Sequence, residues 1–243
     1  MSGHSKWANI KHKKEKTDAQ KAKVFTKIGK EITVAVKEGG GDPNSNSKLR
    51  DLIQKAKSNN VPNDNIERTI KKALGGTSET YEEVVYEGYG PAGVAVIVEA
   101  TTDNRNRTAG NVRSYFSKYH GNLGQTGCVG FMFEEKGVIV IADEDGEIEE
   151  DKLMETALEA GAEDFSGEDG IFEIYTVTDD VYDISEALKS AGYTIESAEK
   201  TKVPTTYVKL DNEDDIKFMN LLIEKLEEDD DVMEVYHNWE NCD

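Results

Sequence analysis

The 243-residue chain carries a formal net charge of −20, with 37% hydrophobic and 32% charged residues. Globular chains average about 45–50% apolar and about a quarter charged residues, so several small domains with much surface fit better than one large core. No apolar run approaches the ~18 residues of a membrane span, and the polar, basic start lacks the apolar stretch of a secretory signal; no membrane association and a cytoplasmic location are expected.

The charge is polarised along the chain. Residues 1–80 hold 15 Lys and 2 Arg against 9 acids, a net of +8, whereas residues 81–243 carry −28. Such asymmetry points to a molecule with a basic, polyanion-seeking end and acidic remaining domains. The two cysteines, Cys128 and Cys242, fit no metal or redox spacing and read as reduced thiols, one buried and one near a frayed terminus.

In chain order, residues 1–14 show no apolar period and read as an extended arm. From about residue 16 to 37 the period is helical, with Ala22, Phe25, Ile28, Ile32 and Val36 on one stripe, stopped by Gly39-Gly40-Gly41 and Pro43. A second helix over about 46–58 carries Leu49, Leu52, Ile53 and Ala56 inward. A third starts near Asn63, where Asp64 and Glu67 have capping-box spacing, and ends at Gly75-Gly76. Strands are expected over 81–87 and 94–101, around the turn Gly88-Tyr89-Gly90-Pro91. A helix over 105–120 follows, then a glycine-bearing loop over 121–130. Further strands are expected over 131–134, 138–142, 171–177, 194–200, 206–210 and 232–236, with helices over 150–160, 180–191 and 214–227.

This order predicts an α+β, multi-domain protein: a small three-helix N-terminal domain plus two α/β domains, one of them ferredoxin-like. Residues 136–202 read β-α-β-β-α-β, a complete ferredoxin-like unit. The flanks, β-β-α-β before and β-α-β after, make one domain only together. The expected division is therefore a basic helical domain over 1–78, a discontinuous acidic middle domain over 79–135 plus 203–243, and an inserted domain over 136–202, with crossings near Gly137 and Pro204.

Few residues offer catalytic chemistry. Gly88-Tyr89-Gly90-Pro91-Ala92-Gly93 spells GxGxxG, but the following Val94–Val98 run reads as a strand, whereas a dinucleotide fingerprint requires a helix there. His4, His12, His120 and His237 show no ligand spacing. Asp143-Glu144-Asp145-Gly146 lacks the order of a calcium loop. No nucleophile motif is present. No enzyme activity, cofactor, metal or small-molecule substrate is expected.

Two constellations fit nucleic acid. The first is the arm and first helix, with Lys6, Trp7, Lys11, His12, Lys13, Lys14, Lys16, Lys21, Lys23, Lys27 and Lys30. Lysines supply phosphate contacts, and Trp7 and His12 have rings that stack on bases. The competing reading is a solvated lysine face behind a disordered arm. The second is Asn104, Arg105, Asn106 and Arg107 at a strand-to-helix turn, where Asp103 or Asn104 can cap. Two arginines in a first turn oppose the helix dipole. A bound anion such as phosphate would relieve that conflict, and so would pairing with neighbouring acids.

The segments Gly3–His12, Gly39–Pro43, Asp64–Arg68, Tyr86–Pro91, Thr102–Thr108, Gly121–Gly124 and Phe131–Glu134 closely resemble the YebC/PmpR family, and the likeness runs essentially end to end. Cys128 and Gly130 stand where the family usually has serine and alanine. The resemblance implies a three-domain, DNA-binding transcriptional regulator with a helical first domain, acting on promoter DNA. It also implies an alternative: a ribosome-associated factor that binds ribosomal RNA and helps synthesis through difficult, proline-rich stretches, as the mitochondrial relative is a translational activator. A protein-interaction module working through the acidic domains is a third reading.

Overall fold

The computed structural model describes residues 18–76, 80–143 and 145–241. The described residues open with three helices, α1 (Asp18–Gly39), α2 (Ser47–Ser58) and α3 (Asn63–Leu74). Their apolar stripes close on one another: Ile28, Ile32, Ala35 and Val36 meet Leu49, Leu52 and Ala56, with Val61, Ile66 and Ala73 completing the cluster. Three amphipathic helices with short links can bury their stripes only against each other. The α1–α2 joint is set by Asn46, a buried residue. Its Oδ1 accepts the Leu49 N–H at 3.0 Å, capping α2, while Nδ2 donates to Ala35 O and Gly40 O, both at 2.8 Å. At α3 the expected capping box is not formed. The helix starts at Asn63, behind Pro62, with no side-chain cap; the rigid φ of proline pre-sets the first turn instead.

Next come β1 (Glu82–Tyr89), β2 (Ala95–Thr102), α4 (Arg105–Lys118) and the two-residue β3 (Asn122–Leu123). Then follow β4 (Phe133–Ala142), α5 (Glu150–Glu159), β5 (Asp164–Glu168), β6 (Ile171–Thr176), α6 (Val181–Ser190) and β7 (Ser197–Pro204), and finally α7 (Glu213–Glu228) and β8 (Val232–His237). The strands make two antiparallel sheets, ordered β3-β1-β2-β8 and β5-β6-β4-β7. The protein is thus α+β, with the helical segment first.

The chain divides into two compact units, one of described residues 18–130 and 211–237, the other of 131–210 and 238–241. In the first, α4 and α7 pack on the sheet and on each other. In the second, α5 and α6 cover one sheet face, with Ile139, Ile141, Leu153, Phe172, Ile174 and Leu188 between them. The run Val138-Ile139-Val140-Ile141 is apolar at every position because β4 is buried on both faces: Val138 and Val140 belong to the cluster of the opposite face, as period-two alternation requires.

Several sequence expectations change. The two strands expected over 131–134 and 138–142 are one, β4, which starts at Phe133 after a 3-10 turn over Gly130–Met132; Gly137 sits inside it, paired with Thr176 on one side and Lys200 on the other. A Cβ there would lie 2.2 Å from Thr176 Oγ1, so glycine answers to packing and not to a turn. The strand expected over 194–200 begins later and runs on to Pro204. Residues 206–210 form no strand; Val208 makes one isolated bridge to Trp239, and Asn241 clasps both Leu210 N and Leu210 O. The loop expected over 121–130 contributes β3 to the first sheet.

Candidate nucleic-acid interface

Helix α7 ends in the acidic run Glu227-Glu228-Asp229-Asp230-Asp231. The last carbonyls of a helix have no partner within it, and that end carries the negative pole of the dipole, so acids there oppose the helix field. Helix α1 supplies the compensating charge. Lys23, Lys27 and Lys30 lie at helical spacing on one face. Lys23 donates to Glu228 O and pairs with Asp230 at 3.0 Å. Lys27 donates to Glu227 O at 2.7 Å. Lys30 donates to Asp230 O and to Asp231 Oδ1, both at 2.9 Å, and its ammonium lies 5.7 Å from the Tyr81 ring centre.

The N-terminus of α4 meets the same turn. Asn104 is the cap residue, its Oδ1 accepting Arg107 N–H at 3.1 Å. Arg107 donates to Asp103 at 2.7 Å and to Asp231 at 2.5 Å. Asp231 also accepts the Thr102 hydroxyl at 3.1 Å and the Thr108 hydroxyl at 2.9 Å. Its side chain is 6% exposed and that of Lys30 is 15% exposed. Burial opposes ionisation of Asp231, but the hydrogen bonds from Arg107, Lys30 and Thr108 outweigh it and hold its pKa at about 2. Those bonds to Asp231, followed by Asp103, raise the Arg107 pKa further. Beside this knot, Asp229 accepts Asn111 Nδ2 at 3.2 Å and the Tyr115 hydroxyl at 3.0 Å. A recess of about 340 Å³ is lined by Arg107, Asn111 and residues 228–231.

Further ion pairs join the helices to the sheet. Lys55 on α2 reaches Glu31 at 3.1 Å and Glu234 on β8 at 3.0 Å. Desolvation pulls the Lys55 pKa down, but Glu234 and Glu31 overcome it and the net shift is upward. Glu31 is raised, by burial first and by the like charge of Glu234, against the pull of Lys55. Lys48 bridges Glu38 and Glu83. In each of these contacts the cation sits on the helical side, and Glu234 and Glu83 sit on the sheet.

The structure therefore brings members of both sequence constellations to one place. Lys23, Lys27, Lys30 and Arg107 all converge on residues 227–231. Lys21, Arg105 and Asn106 are exposed nearby in sequence. Lys6, Trp7, Lys11, His12, Lys13, Lys14 and Lys16 lie outside the described residues. The dipole conflict at Arg107 is relieved by Asp231 and Asp103 and requires no external anion. Sequence reasoning missed Asp231, Asp229 and Lys55. One signal was present: five acids at a helix C-terminus break a local rule in the opposite sense to two arginines at an N-terminus, and the fold sets the two against each other.

A second polar knot holds the glycine loop after β3. The buried Glu87 accepts N–H groups from Gly127, Val129 and Gly130 at 2.7–2.9 Å. Burial resists its ionisation, but these three bonds prevail and its pKa is lowered. Gly88 is required by close approach: a Cβ there would lie 2.6 Å from Asn122 O. The glycine string thus serves strand pairing. Cys128, half-buried, is a free thiol whose pKa is raised by burial and then by Glu87. Among the described residues no His/Cys/Asp/Glu cluster has metal-binding geometry, and no helix is long and apolar enough to cross a membrane.

Comparison with known proteins covers nearly the whole length. Residues 5–76 match the model of the TACO1/YebC protein N-terminal domain, and residues 81–239 match that of the TACO1/YebC second and third domain. A protein of Acetivibrio thermocellus named "Probable transcriptional regulatory protein" is 61% identical over 240 residues, covering 98% of this chain and 99% of the relative. A Caldicellulosiruptor bescii protein of the same name is 59% identical, with 99% and 98% covered. The crystal structure of a conserved hypothetical protein from Aquifex aeolicus superposes with a TM-score of 0.79 at 46% identity, covering 93% of this chain and 92% of the other. On these matches the chain belongs to the TACO1/YebC family.

Proposed function

We propose that this protein is a nucleic-acid-binding regulator of gene expression, acting on promoter DNA as a transcriptional regulator and performing no catalysis. The supporting observation is the arrangement of charge. Cations stand on one face of α1, in a segment of net charge +8, while residues 81–243 are strongly acidic. Lysines held along a helix suit a phosphate backbone, and an acidic remainder suppresses non-specific wrapping. The names of the relatives support the transcriptional form of this reading. In this account residues 1–78 grip the target, residues 79–135 plus 203–243 form the acidic platform, and residues 136–202 are an inserted domain.

One observation favours an RNA target, ribosomal RNA included. Arg105 and Asn106 are exposed at the capped tip of α4, a compact presentation that suits irregular single-stranded RNA better than a duplex groove. Ultraviolet crosslinking in cells, with sequencing of both the DNA and the RNA recovered, separates the two. Discrete promoter DNA over background RNA is the expected result. Enrichment of a few ribosomal RNA positions would move the protein to translation, and recovery of neither would leave the protein-interaction reading.

A further inference from the structure

We propose that the turn at residues 227–231 occupies a phosphate-binding surface made by Lys23, Lys27 and Lys30, and that a phosphodiester backbone engages this surface by displacing the turn. The inference rests on the nucleic-acid reading above and adds to it where the backbone binds and what must leave first.

Three features carry it. The first is chemical likeness. Each of the three ammonium groups is met by an oxygen acceptor from the turn: Glu228 O and the Asp230 carboxylate for Lys23, Glu227 O for Lys27, Asp230 O and the Asp231 carboxylate for Lys30. A row of oxygens backed by carboxylate charge is what a sugar-phosphate strand presents to a lysine face. The second is gradation. The outer pair is exposed, Lys23 at 37% and Asp230 at 76%, and such pairs are individually weak and salt-screened. Only Lys30–Asp231 is enclosed. A polyanion can therefore replace the turn from the outside inward. The third is independence of the core. The apolar cluster of the three helices draws its residues from positions 24 to 73, so the helices keep it when the ion pairs open. Asp231 for its part keeps Arg107, Thr102 and Thr108, so opening strands no bare carboxylate.

The test uses the full chain, with a short DNA duplex and an RNA hairpin as separate probes. Three single variants are compared with the parent: Lys27→Gln, Asp230→Asn and Glu213→Gln. Glu213 lies in the acidic first turn of α7, at the opposite end of the helix from the turn, and controls for loss of one negative charge. Binding is expected to weaken several-fold in Lys27→Gln and to tighten several-fold in Asp230→Asn, with Glu213→Gln near the parent. Hydrogen exchange at residues 229–232 is expected to quicken when a bound probe removes the lysines that brace the turn. Equal affinities for Asp230→Asn and Glu213→Gln, or unchanged exchange with a probe bound, would overturn the inference while leaving nucleic-acid binding intact. Failure of both probes to bind any of the four proteins would instead defeat the nucleic-acid reading and the inference with it. A response to one probe alone identifies the source of the backbone.

Discussion

Asp231 shows how one side chain ties three elements together. It follows α7, precedes β8, and collects Lys30 from α1 with Arg107 and Thr108 from α4. Replacing it with asparagine keeps the shape and removes the charge, leaving an enclosed lysine without its counter-ion, a loss worth about 3 kcal/mol for a buried pair. Asp231→Asn is expected to lower the unfolding free energy in urea by about that amount. The pH dependence has a definite sign. The carboxyl is held at about 2 in the fold against 3.8 ordinarily, so its contribution is complete above the higher value and is lost as pH falls towards the lower. The variant should show a shallower decline of stability between pH 4 and 2; an unchanged slope would mean that Asp231 is not the anchor described. None of this was readable from residues 227–231 in isolation, because their partners lie more than a hundred positions away.

At the scale of elements, legibility followed the range of the forces involved. Helices α1 to α3 could be placed from periodicity because each buries a stripe with its own spacing, and Gly39-Gly40-Gly41 ends α1 through a local backbone preference, Gly40 having φ +85°. The continuous β4 could not, since its pairing with β6 and β7, not the Gly137 within it, decides where the strand runs. The cap at Asn104 was one of two local options, and the structure chose it. Asn46 was not singled out, yet it joins α1 to α2 through bonds at both ends of its amide. Asn46→Ala removes a cap and the two bonds that its amide donates to Ala35 O and Gly40 O, a cost of about 2 kcal/mol. Thermal unfolding should register that loss, whereas the exposed Asn44→Ala should change stability little.

On the scale of the whole molecule the controlling quantity is the separation of charge. A basic leading segment and acidic remainder satisfy each other at Lys23, Lys30, Lys48 and Lys55, and Lys23 and Lys30, with Lys27, form the face proposed for a polyanion. The sequence showed the polarity of the molecule, but not that its basic helix rests on its own acids, because composition is blind to which charges become neighbours. The most direct test of nucleic-acid binding through the basic segment is a salt titration of affinity for a DNA duplex and an RNA hairpin, comparing the parent with a triple variant, Lys11→Ala, Lys13→Ala and Lys14→Ala. Counterion release makes log affinity fall linearly with log salt, by roughly one unit of slope per phosphate contact. The account predicts weaker binding and a slope flatter by about 2–3 in the variant. Equal affinity and an equal slope at low salt would contradict it.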